Sequence, residues 1–186
     1  MTIEEIFSQI ASHMIKGMMA HEQFANMYQF LGLDGYKCCH DYHFLAETIE
    51  YRELLKFYIN KYNKLVPEER VEDPGLIPDN WYKHVRQDVD SASKKTYIKK
   101  LLQEWHEWES STYKFYHDKC KELEELYEYA AADYIKNLMC NVEKEIMDIE
   151  KKMLKLSSVE YSMTFIVGRQ SHVEKKYHDK KKKLLD

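Results

Sequence analysis

Apolar residues recur every three or four positions along four segments of the chain, a spacing that places them on one face of an α-helix. The pattern predicts helices over residues 3–31, 36–65, 93–123 and 128–157. Composition favours long helices, because the 186 residues include only five glycines and three prolines, and these two residue types have the lowest helix propensity. We therefore expect an all-α fold.

Two interruptions in the first half of the chain are marked by glycine and proline. Gly32 and Gly35 bracket a short connector in LGLDGY, between the first and second predicted helices. All three prolines fall between Pro67 and Pro78. They predict an irregular crossover over residues 66–92, between the second and third helices.

The third interruption carries no glycine or proline. Residues 79–167 contain neither, yet one helix of that length is implausible in a globular protein, so a turn must lie within the segment. We place the turn in ELEELYEYAAAD, residues 122–133. Two helical hairpins joined by a long crossover form an antiparallel four-helix bundle. The prediction is a bundle over residues 1–157 with a short C-terminal extension over residues 158–186.

The C-terminal extension and the net charge of the chain indicate which binding partners to expect. Residues 159–167, VEYSMTFIV, are β-branched and aromatic enough to predict a short extended or packing segment. The basic run Lys175–Lys183 is typical of a solvated, frayed helical terminus. The net charge is −4 with both signs interspersed, which argues against a nucleic-acid partner.

Three further features of the sequence indicate the cellular compartment of the protein. No apolar run approaches the ~20 residues that a membrane-spanning helix needs. The first residues, MTIEEIFSQI, are acidic and amphipathic, unlike a secretory signal. The four cysteines show no CxxC spacing, which favours a reducing cytoplasmic setting over a disulfide framework.

Titratable side chains fall on or beside the predicted inner faces. His21 lies within the apolar stripe of the first helix, Glu109 lies on the Trp105 side of the third, and Glu145 lies at the edge of the fourth stripe. On the second helix the predicted inner face comprises Phe44, Tyr51, Leu55, Tyr58 and Tyr62, with His40 and Glu47 on the same face and His43 and Glu50 further round.

Four of these side chains, one from each helix, are expected at a common level. His21 and Glu47 lie at similar distances from the first connector, and Glu109 and Glu145 are centred on Tyr127 in the predicted turn. An isolated ionised carboxylate in a core is costly, so a group of them needs a shared proton, a cationic partner or a metal. Carboxylates with an imidazole suit iron or manganese.

A structural interpretation of the same residues stays open. A single inward histidine is more often a hydrogen-bonded core residue than a ligand. A glutamate at the edge of a core, such as Glu145, can extend its carboxylate to solvent. The agreement in level across four helices is the observation that favours a metal site.

At this point the chain resembles the ferritin-like superfamily of di-iron carboxylate bundles. Ferritins place a ligand glutamate seven residues before an inward tyrosine in their first helix, and HEQFANMY puts His21 at that spacing from Tyr28. In DYIKNLMCNVEKE an aromatic–aliphatic pair precedes Glu143 and Glu145, as in the fourth helix of ferritins. The separation of Glu109 from Glu145 is also similar to that of the corresponding ferritin acids.

The chain departs from the Glu-x-x-His signature of that superfamily. The second helix has Glu47-x-x-Glu50 and the fourth has Glu145-x-x-Asp148, with no histidine in place. His43 precedes Glu47 by one turn and could substitute for the missing ligand.

Two functions follow as hypotheses. The resemblance implies a cytoplasmic di-metal centre that binds iron or manganese and uses O₂ or peroxide in oxidation or iron handling, in a chain that could form a homo-oligomer. Its predicted ligands are Glu47 and Glu109 as bridging or chelating groups, completed by Glu145 and His21. Glu22 or Glu50 is the substitute ligand if the helical register is one residue off. The alternative is a non-catalytic helical interaction protein without metal. Whether the chain is an enzyme is left undecided.

Overall fold

The computed structural model describes residues 1–67, 71–76 and 89–185 of the chain. Within these ranges every regular element is a helix and no strand is present. The all-α prediction is confirmed, and the four long helices fall within three residues of their predicted bounds. The six helices are α1 (Ile3–Phe30), α2 (Asp34–Tyr62), α3 (Ser91–Glu125), α4 (Tyr129–Ser157), α5 (Met163–Gly168) and α6 (Gln170–Leu185).

Local chemistry defines both hairpin turns. Gly32 adopts φ +73° between α1 and α2, a conformation that glycine reaches without steric cost. The flanking Leu31 and Leu33 are both 1% exposed, so the connector is anchored on both sides. Between α3 and α4 the positive φ falls on Tyr127, inside the predicted turn. Each short connection makes its helix pair antiparallel.

Part of the crossover lies outside the described residues, including Pro78. Its first described residues stay close to α1, because Ser8 Oγ donates a hydrogen bond of 2.8 Å to the Pro67 carbonyl. Further along, the Gln23 side chain donates to Asp73 Oδ1 at 2.5 Å and accepts from the Leu76 N–H at 3.0 Å. α1 therefore holds the described parts of the crossover at two places.

The C-terminal extension differs from its prediction. Residues 163–168 form helix α5, with Ile166 fully buried, so this segment packs against the core and is not extended. The basic run lies in α6, which packs along α2 and buries Tyr177 to 2% exposure. Lysines of the run such as Lys175 and Lys182 are exposed, as expected, but the run forms a regular helix and not a frayed end, because Tyr177 anchors it.

Gly35 explains how α6 begins so close to the first hairpin. A Cβ atom at Gly35 would collide with the Gln170 backbone carbonyl. Gln170 Oε1 accepts a hydrogen bond of 3.2 Å from the Gly35 N–H, and Gln170 Nε2 donates one of 3.4 Å to the Gly32 carbonyl. The start of α6 is thereby fastened to the α1–α2 connector.

Two apolar clusters fill the ends of the bundle. One surrounds Phe24, Leu101 and Ile149 near the first connector, and the other surrounds Phe7, Leu54 and Leu123 near the second turn. The polar side chains predicted to face inward lie between them along the helices. The core is thus divided by a layer of titratable groups.

The inner face of α2 differs from the predicted one. Phe44 is 37% exposed and Leu54, not Leu55, is fully buried. The prediction placed His40, Glu47 and Tyr58 on this face correctly, whereas it placed Phe44 and Leu55 there and His43 further round. The residues that face the bundle are His40, His43, Glu47, Leu54 and Tyr58.

None of the described helices is both long enough and apolar enough to cross a membrane.

Candidate metal centre

His21 forms the middle of the polar layer. Its side chain is fully buried, and its Nε2 atom lies 3.5 Å from Glu109 Oε1 and 3.7 Å from Glu47 Oε1. α1, α2 and α3 each supply one of these groups. The carboxylate of Glu109 is almost fully buried, whereas the Glu47 side chain is 22% exposed.

A second contact joins α2 to α4 at the same level. His43 Nδ1 lies 3.1 Å from Glu145 Oε1, and the His43 side chain is buried. The imidazole rings of His21 and His43 stack with their centroids 5.1 Å apart. The structure therefore brings His21, Glu47, Glu109 and Glu145 together and adds His43 to them.

The remaining predicted ligands lie farther out. Glu50 accepts a hydrogen bond of 2.9 Å from Asn141 Nδ2 at the margin of the cluster. Glu22 is exposed on the surface of α1, so its suggested place as a further ligand is wrong. Glu22 follows His21 directly, and neighbouring residues of a helix point in different directions.

Two buried side chains support the cluster from one side. His40 Nδ1 lies 3.1 Å from His21 Nδ1, so one imidazole donates a hydrogen bond to the other. Trp105 Nε1 donates a hydrogen bond of 3.0 Å to Glu109 Oε1. The rings of His40 and Trp105 also meet edge to face, with centroids 4.5 Å apart. This support leaves His21 Nε2 directed at the carboxylates.

Gly17 makes room for one carboxylate. A Cβ atom at this position would lie 2.6 Å and 2.7 Å from the two Glu47 oxygens. Glycine inside a helix costs about 1 kcal/mol relative to alanine, and here its missing side chain lets Glu47 reach the interior. The only sequence signal for this role is a lone glycine one turn before His21.

Burial and mutual repulsion raise the pKa values of three carboxyl groups in the cluster, Glu47, Glu50 and Glu109. Burial raises the pKa of Glu109 to about 8, with the Glu145 charge acting in the same direction. Burial and the charges of Glu109 and Glu145 raise the pKa of Glu47 well above its usual range. Burial raises the pKa of Glu50 to about 7 despite the hydrogen bond from Asn141.

The pKa values of His21 and His43 are shifted in opposite directions. Burial lowers the pKa of His21 to about 3, helped by the positive charge of His43. Burial is the largest single influence on His43 and lowers its pKa, but Glu145 and Cys39 together outweigh burial and raise the His43 pKa to about 10. Burial raises the pKa of Glu145, but the nearby His43, with smaller contributions from His21 and Lys152, outweighs burial and lowers that pKa. The site thus contains one ion pair, His43–Glu145, beside neutral groups.

The chain is similar to known proteins in its fold and not in its sequence. No protein-family model matches the sequence, and no curated protein matches it. Among solved structures, an engineered closed form of Archaeoglobus fulgidus ferritin is 13% identical, with a TM-score of 0.75 over 94% of this chain and 96% of that one. An open-pore ferritin from the same archaeon is 14% identical, with a TM-score of 0.74 over 91% and 93%.

An iron-soaked variant of PmFTN is 11% identical, with a TM-score of 0.72 over 90% of this chain and 96% of that one. The chain has the ferritin-like fold. The four-helix bundle predicted from the spacing of apolar residues, and the resemblance drawn from its inward acids, are confirmed at the level of the fold.

The interior of this ferritin-like bundle carries polar atoms that lack partners. Within the described ranges, His21 Nε2, His43 Nδ1 and Glu47 Oε2 are buried without a hydrogen bond. The close approach of His43 Nδ1 to Glu145 therefore lacks the alignment of a hydrogen bond. An unsatisfied buried polar atom costs about 1–3 kcal/mol. A bound cation would satisfy all three atoms at once.

The donor set fits a transition metal. One ligand atom from each of His21, His43 and Glu145 lies within 4.8 Å of the other two. Two histidines and one carboxylate are the ligand composition of many non-haem Fe(II) sites. Glu47 and Glu109 approach the same His21 nitrogen and supply further oxygens.

A cavity of about 340 Å³ reaches this cluster between α2, α4 and α6. His43, Glu50 and Glu145 line it from α2 and α4, and Lys180 and Leu184 line it from α6. Two of the predicted ligands, Glu50 and Glu145, therefore face this cavity.

Proposed function

We propose that this ferritin-like chain is a metal-binding protein that holds iron or manganese in the polar layer of its bundle. The observation that carries the proposal is the convergence of His21, His43 and Glu145, each offering one ligand atom within 4.8 Å of the others. The unpartnered nitrogens of both histidines support it further.

Each side chain has a distinct task in the proposed centre. His21, His43 and Glu145 would hold an ion, and Glu47 and Glu109 would supply further carboxylate oxygens for a di-metal centre. Glu50 lines the cavity at the margin of the cluster and would bind a cation that enters there. Bound iron or manganese would supply redox chemistry with O₂ or peroxide, for oxidation or iron handling.

The side chains of the site would release protons when a metal binds, and the surrounding core would exclude water. Metal ligands bind as carboxylates, so Glu47 and Glu109 release protons as a cation enters. The negative charge that they gain offsets the charge of the ion. Trp105 and the surrounding apolar clusters exclude water from the inner side of the layer.

Metal analysis tests this proposal. The protein is purified from iron- and manganese-replete cultures and compared with the double variant Glu47→Ala/Glu109→Ala. The expected result is stoichiometric iron or manganese in the native chain and a large loss of metal in the variant. The control Glu107→Ala/Glu143→Ala removes two exposed acids from α3 and α4 and should retain the metal.

A native chain that binds neither metal, with unchanged stability in the double variant, would contradict the proposal. That result would favour the non-catalytic interaction protein.

Assembly bears on what the centre could do. Storage of mineralised iron requires a cage of many subunits, whereas a single bundle can only bind or oxidise ions at its own centre. A homo-oligomer is part of the proposal, and sedimentation velocity of the metal-loaded protein measures it. The four free cysteines suit a reducing cytoplasm, where we place the protein.

A further inference from the structure

A second cavity, of about 270 Å³, lies where α5 and α6 meet the bundle near the first connector. Its volume is near the lower end of the ~300–1,000 Å³ typical of ligand sites. Apolar and aromatic side chains form most of the wall, among them Tyr28, Leu102, Leu156, Phe165 and Val173. The cavity therefore has room for a small ligand with an apolar body.

The charged residues around this cavity are almost all basic. Lys151, Lys152, Lys155, Arg169 and Lys176 line it, and Asp148 is the one acid among the lining residues. This concentration of positive charge stands out in a chain whose net charge is −4.

The basic side chains are poorly neutralised. Lys151 lies 3.9 Å from Asp148, and Lys152 Nζ donates a hydrogen bond of 3.4 Å to Cys39 Sγ. The other basic residues of the cavity form no ion pair within the part of the chain that the structure describes. Burial and the charges of Lys180 and Lys152 lower the pKa of Lys176. A negative charge in the cavity would relieve this crowding.

Aromatic rings hold several of the cations at the cavity. Arg169 Cζ lies 5.6 Å from the centre of the Phe165 ring, and Lys152 Nζ lies 4.2 Å from the centre of the Trp105 ring. Such cation–π contacts position a basic group without neutralising its charge. The cavity thus combines apolar walls with positive charges, of which Lys155, Arg169 and Lys176 form no ion pair within the described ranges.

We propose that this cavity binds a small organic anion, with its apolar body against the aromatic walls and its carboxylate or phosphate head toward Lys155, Arg169 and Lys176. Arginine recognises either head group with two parallel hydrogen bonds, and lysine adds a point charge. The floor includes His40 and Trp105, which also contact His21 and Glu109. The ligand would lie one side-chain layer from the polar cluster, but its binding does not depend on a metal.

Calorimetric titration of the metal-free protein tests the proposal with octanoate, 3-phenylpropionate and phenyl phosphate as probes. At least one probe should bind with one-to-one stoichiometry, and its uncharged alcohol analogue should bind at least about tenfold more weakly. A charge-assisted hydrogen bond contributes about 1.5–3 kcal/mol, which is roughly a tenfold change in affinity or more. Equal binding of anion and alcohol, or no binding of any probe, would overturn the proposal.

Variants locate the head group. Lys155→Met/Arg169→Met should weaken the bound anion about tenfold or more and leave the alcohol unchanged. The control Lys95→Met/Lys99→Met removes the same charge from the exposed surface of α3 and should bind as the native chain does. Equal weakening in both double variants would indicate a general charge effect and would overturn the assigned site. Single variants at Lys155 and Arg169 answer the same question if the double variant does not fold.

Discussion

The imidazoles of His21 and His40 meet through their Nδ1 atoms at 3.1 Å, one from α1 and one from α2, and both side chains are buried. This contact uses the nitrogen of His21 that faces away from the carboxylates. It fixes the orientation of the ring and leaves Nε2 directed at Glu109 and Glu47. His40 is therefore a positioning residue for the proposed metal centre.

Replacing His40 should weaken metal binding without removing a ligand. We expect His40→Phe to lower the affinity for Mn²⁺ by about 10–100-fold, the range found when the hydrogen-bond partner of a metal-binding histidine is lost. His40→Gln retains a hydrogen-bonding group and should recover part of the loss. Equilibrium titration followed by electron paramagnetic resonance measures both. Native affinity in His40→Phe would exclude the positioning role.

The contribution of Glu109 to the stability of the metal-free protein should fall as pH rises. The pKa of Glu109 is raised from 4.5 to about 8, first by burial, so the folded state keeps a proton that the unfolded state releases. This contribution to the free energy of unfolding should therefore decrease between about pH 4.5 and pH 8, by at most about 1.4 kcal/mol per pH unit. Buried histidines with lowered pKa values, such as His21, act in the opposite direction below about pH 6.5, so the Glu109 contribution is measured as a difference between two proteins.

Glu109→Gln supplies the matched comparison for that decrease. The amide resembles the protonated carboxyl and can still accept the Trp105 hydrogen bond, so the variant should be more stable than the native chain at pH 8 and similar at pH 4.5. Urea denaturation at several pH values measures the difference. Parallel pH profiles for the two proteins would show that Glu109 ionises normally.

Metal uptake should have the opposite pH dependence. A cation must displace protons from Glu109, whose pKa is about 8, and from Glu47, whose pKa is also raised by burial. It must also displace the proton of His43, whose pKa is raised by Glu145 and Cys39. Affinity for Mn²⁺ should therefore increase from pH 6 to pH 8, with proton release on binding. Calorimetry in two buffers of different ionisation enthalpy counts the protons. Binding with no proton release would contradict the assignment of these acids as ligands.

Gly17→Ala should separate metal binding from folding. The added methyl group would occupy space now taken by the Glu47 carboxylate, at 2.6 Å from the nearer oxygen, and would push that carboxylate away from His21. Alanine favours the helix by about 1 kcal/mol over glycine, so thermal stability should be kept or raised while metal content falls.

Gly168→Ala is the control for that variant, because a Cβ atom there would meet nothing within 4 Å. It should bind metal as the native chain does. Full metal content in Gly17→Ala would show that Glu47 can adjust or is not a ligand.

The sequence by itself determined the helices, the two turns and the inward position of His21 and Glu109. These features depend on local periodicity and on the intrinsic preferences of neighbouring residues, which a single chain displays directly. The turn around Tyr127 was found without a glycine or proline, because a helix spanning residues 79–167 would be too long for a globular protein.

Only the tertiary structure decided the roles of Gly17, His40 and His43 and the position of α6. A polar residue on a helix looks the same in sequence whether it faces solvent or another polar group, so the buried face of α2 was assigned to Phe44 when His43 occupies it. Likewise α6 is polar along most of its length and docks through Tyr177. The physical reason is that burial of a polar group depends on what lies opposite, and that partner comes from another helix.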